Sequence, residues 1–227
     1  MNKGYHPLFN EKLLNESYSE RIPMYGDGML GVILADTRRT HSTIVLRTKE
    51  AAELLYYEAM TDADIVARKV VELALKYDVP LSDQNIFIDN SVGGVELCKL
   101  VRKYAEGKFI LDKYENYQRY GIDVSHRYMY NDGHYDDIYA SGFGKLKKWL
   151  EGGGKLLNRL RFDNLIYVTW KEHDGKMQII DKETLRDDGI DVSIPDALCM
   201  TFVWEKRCNN YPIEEVDEEM LYPEIGI

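Results

Sequence analysis

The order of apolar runs predicts an α/β domain, with a mixed central sheet and helices on both of its faces. Three observations carry that prediction. Met29 to Ala35 and Ile86 to Ile88 are continuously apolar, as strands covered on both faces are. Val66, Val70, Leu73 and Tyr77 recur at helical spacing. The runs follow one another as three strands, helix, strand, helix, strand, which suits a mixed sheet whose ligand positions gather at the carboxyl ends of its parallel strands.

Each element has its own reason. Residues 1–28 show no sustained period and contain Gly4, Pro7, Pro23, Gly26 and Gly28, so they read as a lead-in or linker. The domain is expected over 29–210, and 211–227 reads as a frayed acidic tail. Met29 to Asp36 is the first strand, Ser42 to Arg47 the second, and Ala51 to Ala59 a third whose Ala and Glu content weakens the signal. Thr61 stands as the N-cap of a helix with Asp62 and Asp64 in its first turn, stopped by Pro80. Asn85 to Asp89 is a short buried strand, Gly93 and Gly94 open a helix through Arg102, and Phe109 to Leu111 is a further strand. The tyrosine-dense stretch 114–139, broken by Gly121 and Gly133, reads as a protruding hairpin or long loop. A lysine-bearing helix follows over Phe143 to Leu150, then strands at Ile166 to Trp170 and Met177 to Ile180 joined by a turn, then a helix over Ile194 to Lys206 opened by Pro195.

Composition bounds the function. A chain of 227 residues, 44% hydrophobic and 30% charged, can bury one good core. No apolar run approaches the ~18 residues of a membrane span, and no signal peptide opens the chain, so a cytoplasmic protein without a membrane partner is expected. Cys98, Cys199 and Cys208 form no CxxC pair, and the five histidines show no ligand spacing. The net charge of −10 argues against a sequence-blind coat for DNA, yet is compatible with an enzyme that confines its cations to one groove.

Three carboxylates stand at the ends of core elements: Asp36, Asp89 and Asp196. A strand ending in Asp delivers its carboxylate to the rim of the sheet, and a helix start can face the same point. Carboxylates crowded together repel unless a hard divalent cation holds them, and oxygen-only ligation selects Mg²⁺ or Mn²⁺. Each acid also has an ordinary reading taken alone. Asp89 suits an Asx turn, Asp196 stabilises a helix dipole, and Asp36 simply precedes a polar turn.

The joint pattern resembles the nuclease domain of phage large terminases. Leu30 to Arg47, with Asp36 between an apolar strand and Ser42-Thr43-Ile44-Val45, looks like the first motif of that family. Thr61-Asp62-Ala63-Asp64 through Lys76-Tyr77-Asp78-Val79 resembles the helix after its third strand, and Phe87-Ile88-Asp89 followed by Gly93-Gly94 its second acidic motif. Asp174 to Arg186, then Asp187 to Leu198 with Pro195-Asp196-Ala197-Leu198, is similar to the elements that close these domains. Ser193 and Thr37-Arg38-Arg39 depart from the family pattern.

The resemblance implies an RNase H-like fold and a two-metal endonuclease that cuts double-stranded DNA when phage concatemers are packaged, in the cytoplasm of the infected host. It implies Asp36, Asp89 and Asp196 as ligands of two Mg²⁺ or Mn²⁺ ions, with Asp191 or Asp188 as a supplementary acid. The implied partners are double-stranded DNA, a terminase ATPase domain, the small terminase and the portal. Arg119, Arg127, Lys145, Lys147 and Lys148 are candidate phosphate contacts, the lysines being equally readable as a solvated helix face. No GxxxxGK[ST] occurs, so no ATP hydrolysis is expected, and the chain reads as a domain of a longer protein or a separately encoded nuclease. Another RNase H-like nuclease (a junction resolvase or transposase core) and a non-catalytic docking module of the packaging motor stay open beside it.

Overall fold

The computed structural model describes residues 5–22, 24, 28–36, 40–81, 85–89, 93–105, 121–122, 135, 137–179 and 182–203. In chain order the elements are β1 (His6–Pro7), α1 (Glu11–Ser17), β2 (Tyr18–Ser19), β3 (Met29–Ile33), β4 (Ser42–Arg47), β5 (Ala51–Glu58), α2 (Ala63–Lys76), β6 (Ile86–Asp89), α3 (Gly94–Ala105) and β7 (Gly121–Ile122). Then follow α4 (Ile138–Glu151), β8 (Lys155–Leu157), α5 (Arg159–Phe162), a 3-10 turn (Asp163–Tyr167), β9 (Thr169–His173), β10 (Lys176–Ile179), α6 (Lys182–Asp187) and α7 (Ser193–Val203).

Seven strands make the main sheet in the order β2-β8-β5-β4-β3-β6-β7. The chain β3-β4-β5 runs as an antiparallel meander, while β6 lies parallel to β3, with Leu30 opposite Ile86 and Val32 opposite Ile88. The sheet is therefore mixed, as the run order predicts. Strand alternation divides the core in two. Leu30, Val32, Ile44, Leu46, Ile86 and Ile88 face α2 and α3 in one apolar cluster. Ile33, Val45 and Phe87 face the other side, where they meet α4 and α7. A second, three-stranded antiparallel sheet, β1-β9-β10, stands apart from the first.

Helix α7 is buried along its whole length, because Ile194, Ala197, Leu198, Cys199, Met200, Phe202 and Val203 leave no polar face. It packs on β3, β4, β6 and α4. Its closest approach is at Gly31, where a Cβ would stand 1.8 Å from the carbonyl oxygen of Ala197. Arg47 fixes the other end of the helix. It donates to Thr201 Oγ1 at 2.8 Å and to the Thr201 carbonyl at 2.6 Å, and its guanidinium lies 4.1 Å over the Phe202 ring. Since Arg47 is paired with Met29 at the start of β3, α7 descends along β3 from its carboxyl end to its amino end.

Several expectations need correction. Where it is described, the segment read as a lead-in belongs to the core: Leu8, Phe9 and Leu14 are buried, and α1 is N-capped by Asn10, whose Oδ1 accepts from Leu13 N at 2.8 Å. Seven residues of helix and two strands of two residues are too short to show a period. The N-cap of α2 is Asp62, not Thr61, its carboxylate accepting from Asp64 N and Ile65 N. Helix α4 begins five residues earlier than Phe143, capped by Asp137. The strand expected from Ile166 starts only at Thr169, because Asp163–Tyr167 winds into a 3-10 turn whose end is tied by Val168 N to Leu165 O. The strand expected at Phe109 to Leu111, most of the stretch expected as a hairpin and the tail 211–227 lie outside the described residues. Within that stretch β7 joins the main sheet beside β6, and Tyr135 is buried against α4 at Gly144.

Candidate active site

The carboxyl ends of the parallel pair β3 and β6 lie side by side, and the amino end of α7 reaches the same edge. Asp89 ends β6. By alternation it shares the face of Phe87, the face that α7 covers, and it is 3% exposed. Asp196 lies in the first turn of α7, next to the Ala197 carbonyl that touches Gly31, and is 1% exposed. In the register, Phe87 is the partner of Gly31, so Asp89 and Asp196 occupy the same layer between sheet and helix. Asp36 leaves β3 three residues past its last paired position and is half-buried. Its approach is pinned by Ser42, fully buried, whose Oγ accepts from Ala35 N at 2.9 Å and donates to the Met60 carbonyl.

The topology places the chain positions of Asp36, Asp89 and Asp196 toward one edge of the sheet, without gathering their side chains into one metal-holding group. The donor set is carboxylate oxygen alone, which fits a hard divalent cation. Among the described residues no group of three or more His, Cys, Asp or Glu side chains is drawn together as a ready-made metal site. A narrow crevice opens beside Asp196, walled by Tyr139 and Phe143 of α4, Ile179 of β10, Leu185 of α6, Val192 just before α7 and Pro195 within it, with Val168 at its side.

The supplementary acids divide. Asp188 is exposed on the turn that ends α6. Asp191 is engaged by the protein through both oxygens. Oδ1 accepts from Ser193 N at 2.8 Å, and Oδ2 accepts from the Tyr57 hydroxyl at 2.5 Å and from Thr40 Oγ1 at 3.4 Å. His41 Nδ1 stands 3.3 Å from the same Oδ2, and the His41 ring stacks on Tyr57 with centroids 4.1 Å apart and planes 12° from parallel. Burial works to raise the Asp191 pKa, but the hydrogen bonds from Tyr57 and Ser193 and the nearby His41 outweigh it, holding the carboxyl below its ordinary value. Tyr57 responds in the opposite sense: burial first, then the hydrogen bond to Asp191 and its charge, push its phenol well up. This cluster left no trace in the sequence. His41 and Asp191 are 150 positions apart and neither sits in a ligand-spaced pair.

Of the candidate phosphate contacts, Arg119 and Arg127 lie outside the described residues. Lys145, Lys147 and Lys148 sit on α4, Lys145 and Lys147 half-buried and Lys148 exposed. Lys147 pairs with Glu151 at 3.8 Å one turn on, and Lys148 lies in the last turn, where a cation favours the helix dipole.

No protein-family model and no curated protein sequence matches the chain. Solved structures do. The nuclease domain of the large terminase subunit gp2 of bacterial virus Sf6 matches with a TM-score of 0.64 at 15% identity, over 87% of this chain and 98% of that one. The chain has the fold of phage large terminase nuclease domains. A form of the Sf6 domain solved with manganese and beta-thujaplicinol gives a TM-score of 0.66 at 14% identity, with the same coverage. The large terminase nuclease of thermophilic phage G20c gives 0.55 at 11%, over 86% of this chain and 97% of that one. The large terminase of HK97 bacteriophage gives 0.57 at 10%, and there the match covers 88% of this chain but 43% of the other. The chain therefore spans a terminase nuclease domain almost end to end, and less than half of a large terminase. The RNase H-like architecture expected from the motif order is the one observed.

Proposed function

We propose that this chain is a metal-dependent endonuclease that hydrolyses double-stranded DNA, cutting phage genome concatemers during packaging in the cytoplasm of the infected host. The observation that supports the reading is the terminase nuclease fold itself, in which β3 and β6 run parallel with Asp36 and Asp89 at their carboxyl ends and Asp196 in the first turn of the covering helix α7. The Sf6 large terminase nuclease domain has been solved with manganese and with calcium, which supports a divalent cation here. Mg²⁺ or Mn²⁺ ions, two of them, are the proposed cofactors; bound there, they would acidify a water and stabilise the departing 3′ oxygen of a phosphodiester. Asp36, Asp89 and Asp196 are the residues that would hold them. The burial of Asp89 and Asp196 keeps bulk water from competing for those carboxylates and lends their charge more reach than it would have in solvent. Double-stranded DNA is the proposed substrate, and the terminase ATPase domain, small terminase and portal are the proposed partners.

A plasmid-nicking assay with Mn²⁺, Mg²⁺ and chelator tests this directly. Conversion of supercoiled plasmid is expected with either metal and none with EDTA, and Asp36→Ala should abolish cleavage while keeping the wild-type circular dichroism. Metal-dependent cleavage that survives Asp36→Ala overturns the assignment. A non-catalytic docking module is the competing reading, and the absence of a preformed three-ligand group among the described residues favours it. That reading predicts no metal-dependent thermal shift.

A further inference from the structure

We infer that Asp191, His41 and Tyr57 form a positioning clamp that holds the Asp36 and Asp196 segments in register for the metal, and that Asp191 is not itself a ligand. The inference rests on the nuclease reading above and assigns these three residues a part in it.

The clamp joins what the sequence keeps apart. Asp36 is followed, four and five residues on, by Thr40 and His41, and both of these face Asp191 Oδ2. Asp196 is preceded by Asp191, whose Oδ1 receives the backbone N–H of Ser193 as α7 begins. Tyr57 enters from β5, paired with Thr43 of β4, and places its hydroxyl on Asp191 while its ring lies flat beneath His41. A further tie comes from Asn164 in the 3-10 turn, whose Nδ2 donates to the Asp191 carbonyl at 2.7 Å. Two segments distant in sequence, the stretch after Asp36 and β5, thus close on the Asp191 carboxylate, and a third, the 3-10 turn, holds its backbone.

The direction of those bonds favours a clamp over a ligand. A carboxylate that binds a hard cation needs at least one oxygen facing the ion. Here Oδ1 is turned to the helix start and Oδ2 to a hydroxyl, a ring nitrogen and a threonine, all of them protein. Groups that orient ligands without touching the ion are known to cost 10–100-fold in metal affinity when removed.

The test uses the full chain and Mn²⁺ alone as probe, read by titration calorimetry and by the Mn²⁺ concentration for half-maximal plasmid cleavage. Tyr57→Phe, which removes one hydroxyl and keeps the ring, and His41→Ala are each expected to weaken Mn²⁺ binding about tenfold. The loss should appear in the metal requirement more than in the rate at saturating Mn²⁺. His41→Asn, which returns a donor near Asp191, should recover part of the affinity. The clamp is overturned if Asp191→Asn weakens Mn²⁺ binding while Tyr57→Phe and His41→Ala bind as the wild type does, because Asp191 would then be a ligand. It is also overturned if all three variants match a wild type that binds. A wild-type chain that takes up no Mn²⁺ sinks the nuclease reading, and the clamp with it.

Discussion

Gly31→Ala is the sharpest test of how the site is built. Gly31 has no unusual backbone angle to protect, so the effect of a methyl there is steric. An added Cβ would stand 1.8 Å from the Ala197 carbonyl oxygen and 2.8 Å from its carbon, both backbone atoms that cannot rotate away. Restoring ordinary contact near 3.5 Å requires strand and helix to part by about 1.7 Å, and a gap of even ~0.5–1 Å forfeits a quarter to a half of each dispersion contact. Overpacking of this kind costs about 1–3 kcal/mol, and a backbone clash along a wholly buried helix belongs at the upper end. With roughly 2–4 °C of melting temperature per kcal/mol at this chain length, about 3 kcal/mol lowers the midpoint by roughly 6–12 °C. Because α7 carries Asp196, the same displacement should depress Mn²⁺-dependent cleavage below the denaturation range. Calorimetry and the nicking assay read both. A variant that melts within about 2 °C of the wild type would refute the close seating of α7 on β3.

Other outcomes follow from the same geometry. Asp89→Asn and Asp196→Asn are nearly isosteric and should abolish cleavage with the far-ultraviolet spectrum unchanged; a variant that cleaves at the wild-type rate removes its residue from the site. Arg47→Ala severs both bonds to Thr201 and uncovers Phe202, which should cost roughly 2 kcal/mol in a denaturant titration, and no change would show that the end of α7 is held by packing alone. Ser42→Ala leaves the Ala35 N–H without its acceptor and frees the chain leading to Asp36, a loss of about 1–3 kcal/mol measurable in the same way. Asp191 is held below its ordinary pKa of 3.8, so its contribution to stability is fully present above about pH 4 and is lost as pH falls through the lower folded value. Asp191→Asn should therefore lessen the fall of stability with pH below 4, and an unaltered acid limb would contradict the bonding described for it.

The fold was legible wherever burial imposes a period. Met29 to Ala35 and Ile86 to Ile88 are apolar without interruption because α2 and α3 cover one face and α4 and α7 the other, so neither strand has a wet side to mark with polar residues. The α2 stripe was equally plain, since one face packs and the other is solvated. The small pieces were not legible. β1, β2 and β8 have two or three residues each, and their pairing is decided by distant partners rather than by local pattern. The 3-10 turn took the place of an expected strand because Ile166 and Tyr167 alternate in name only; Leu165 points into the core while Tyr167 remains exposed.

The placement of the acids follows from topology more than from their neighbours in sequence. Asp89 falls on the α7 face because it is two residues, one full strand period, from Phe87. Had the strand ended one residue earlier or later, the carboxylate would have faced α2 and α3, far from Asp196. Asp36 shares the edge because β6 runs parallel to β3, a direction enforced by the passage of the chain through β4, β5 and α2 before it returns. A reader of the sequence could see that both strands end in Asp; parallelism is what places the two ends together. The step that no pattern could supply was the descent of α7, which depends on Gly31 admitting the Ala197 carbonyl and on Arg47 catching Thr201 at the far end. Reversing that direction would carry Asp196 to the Met29 end of β3, so the two anchors of α7 decide whether the third carboxylate belongs to the site at all.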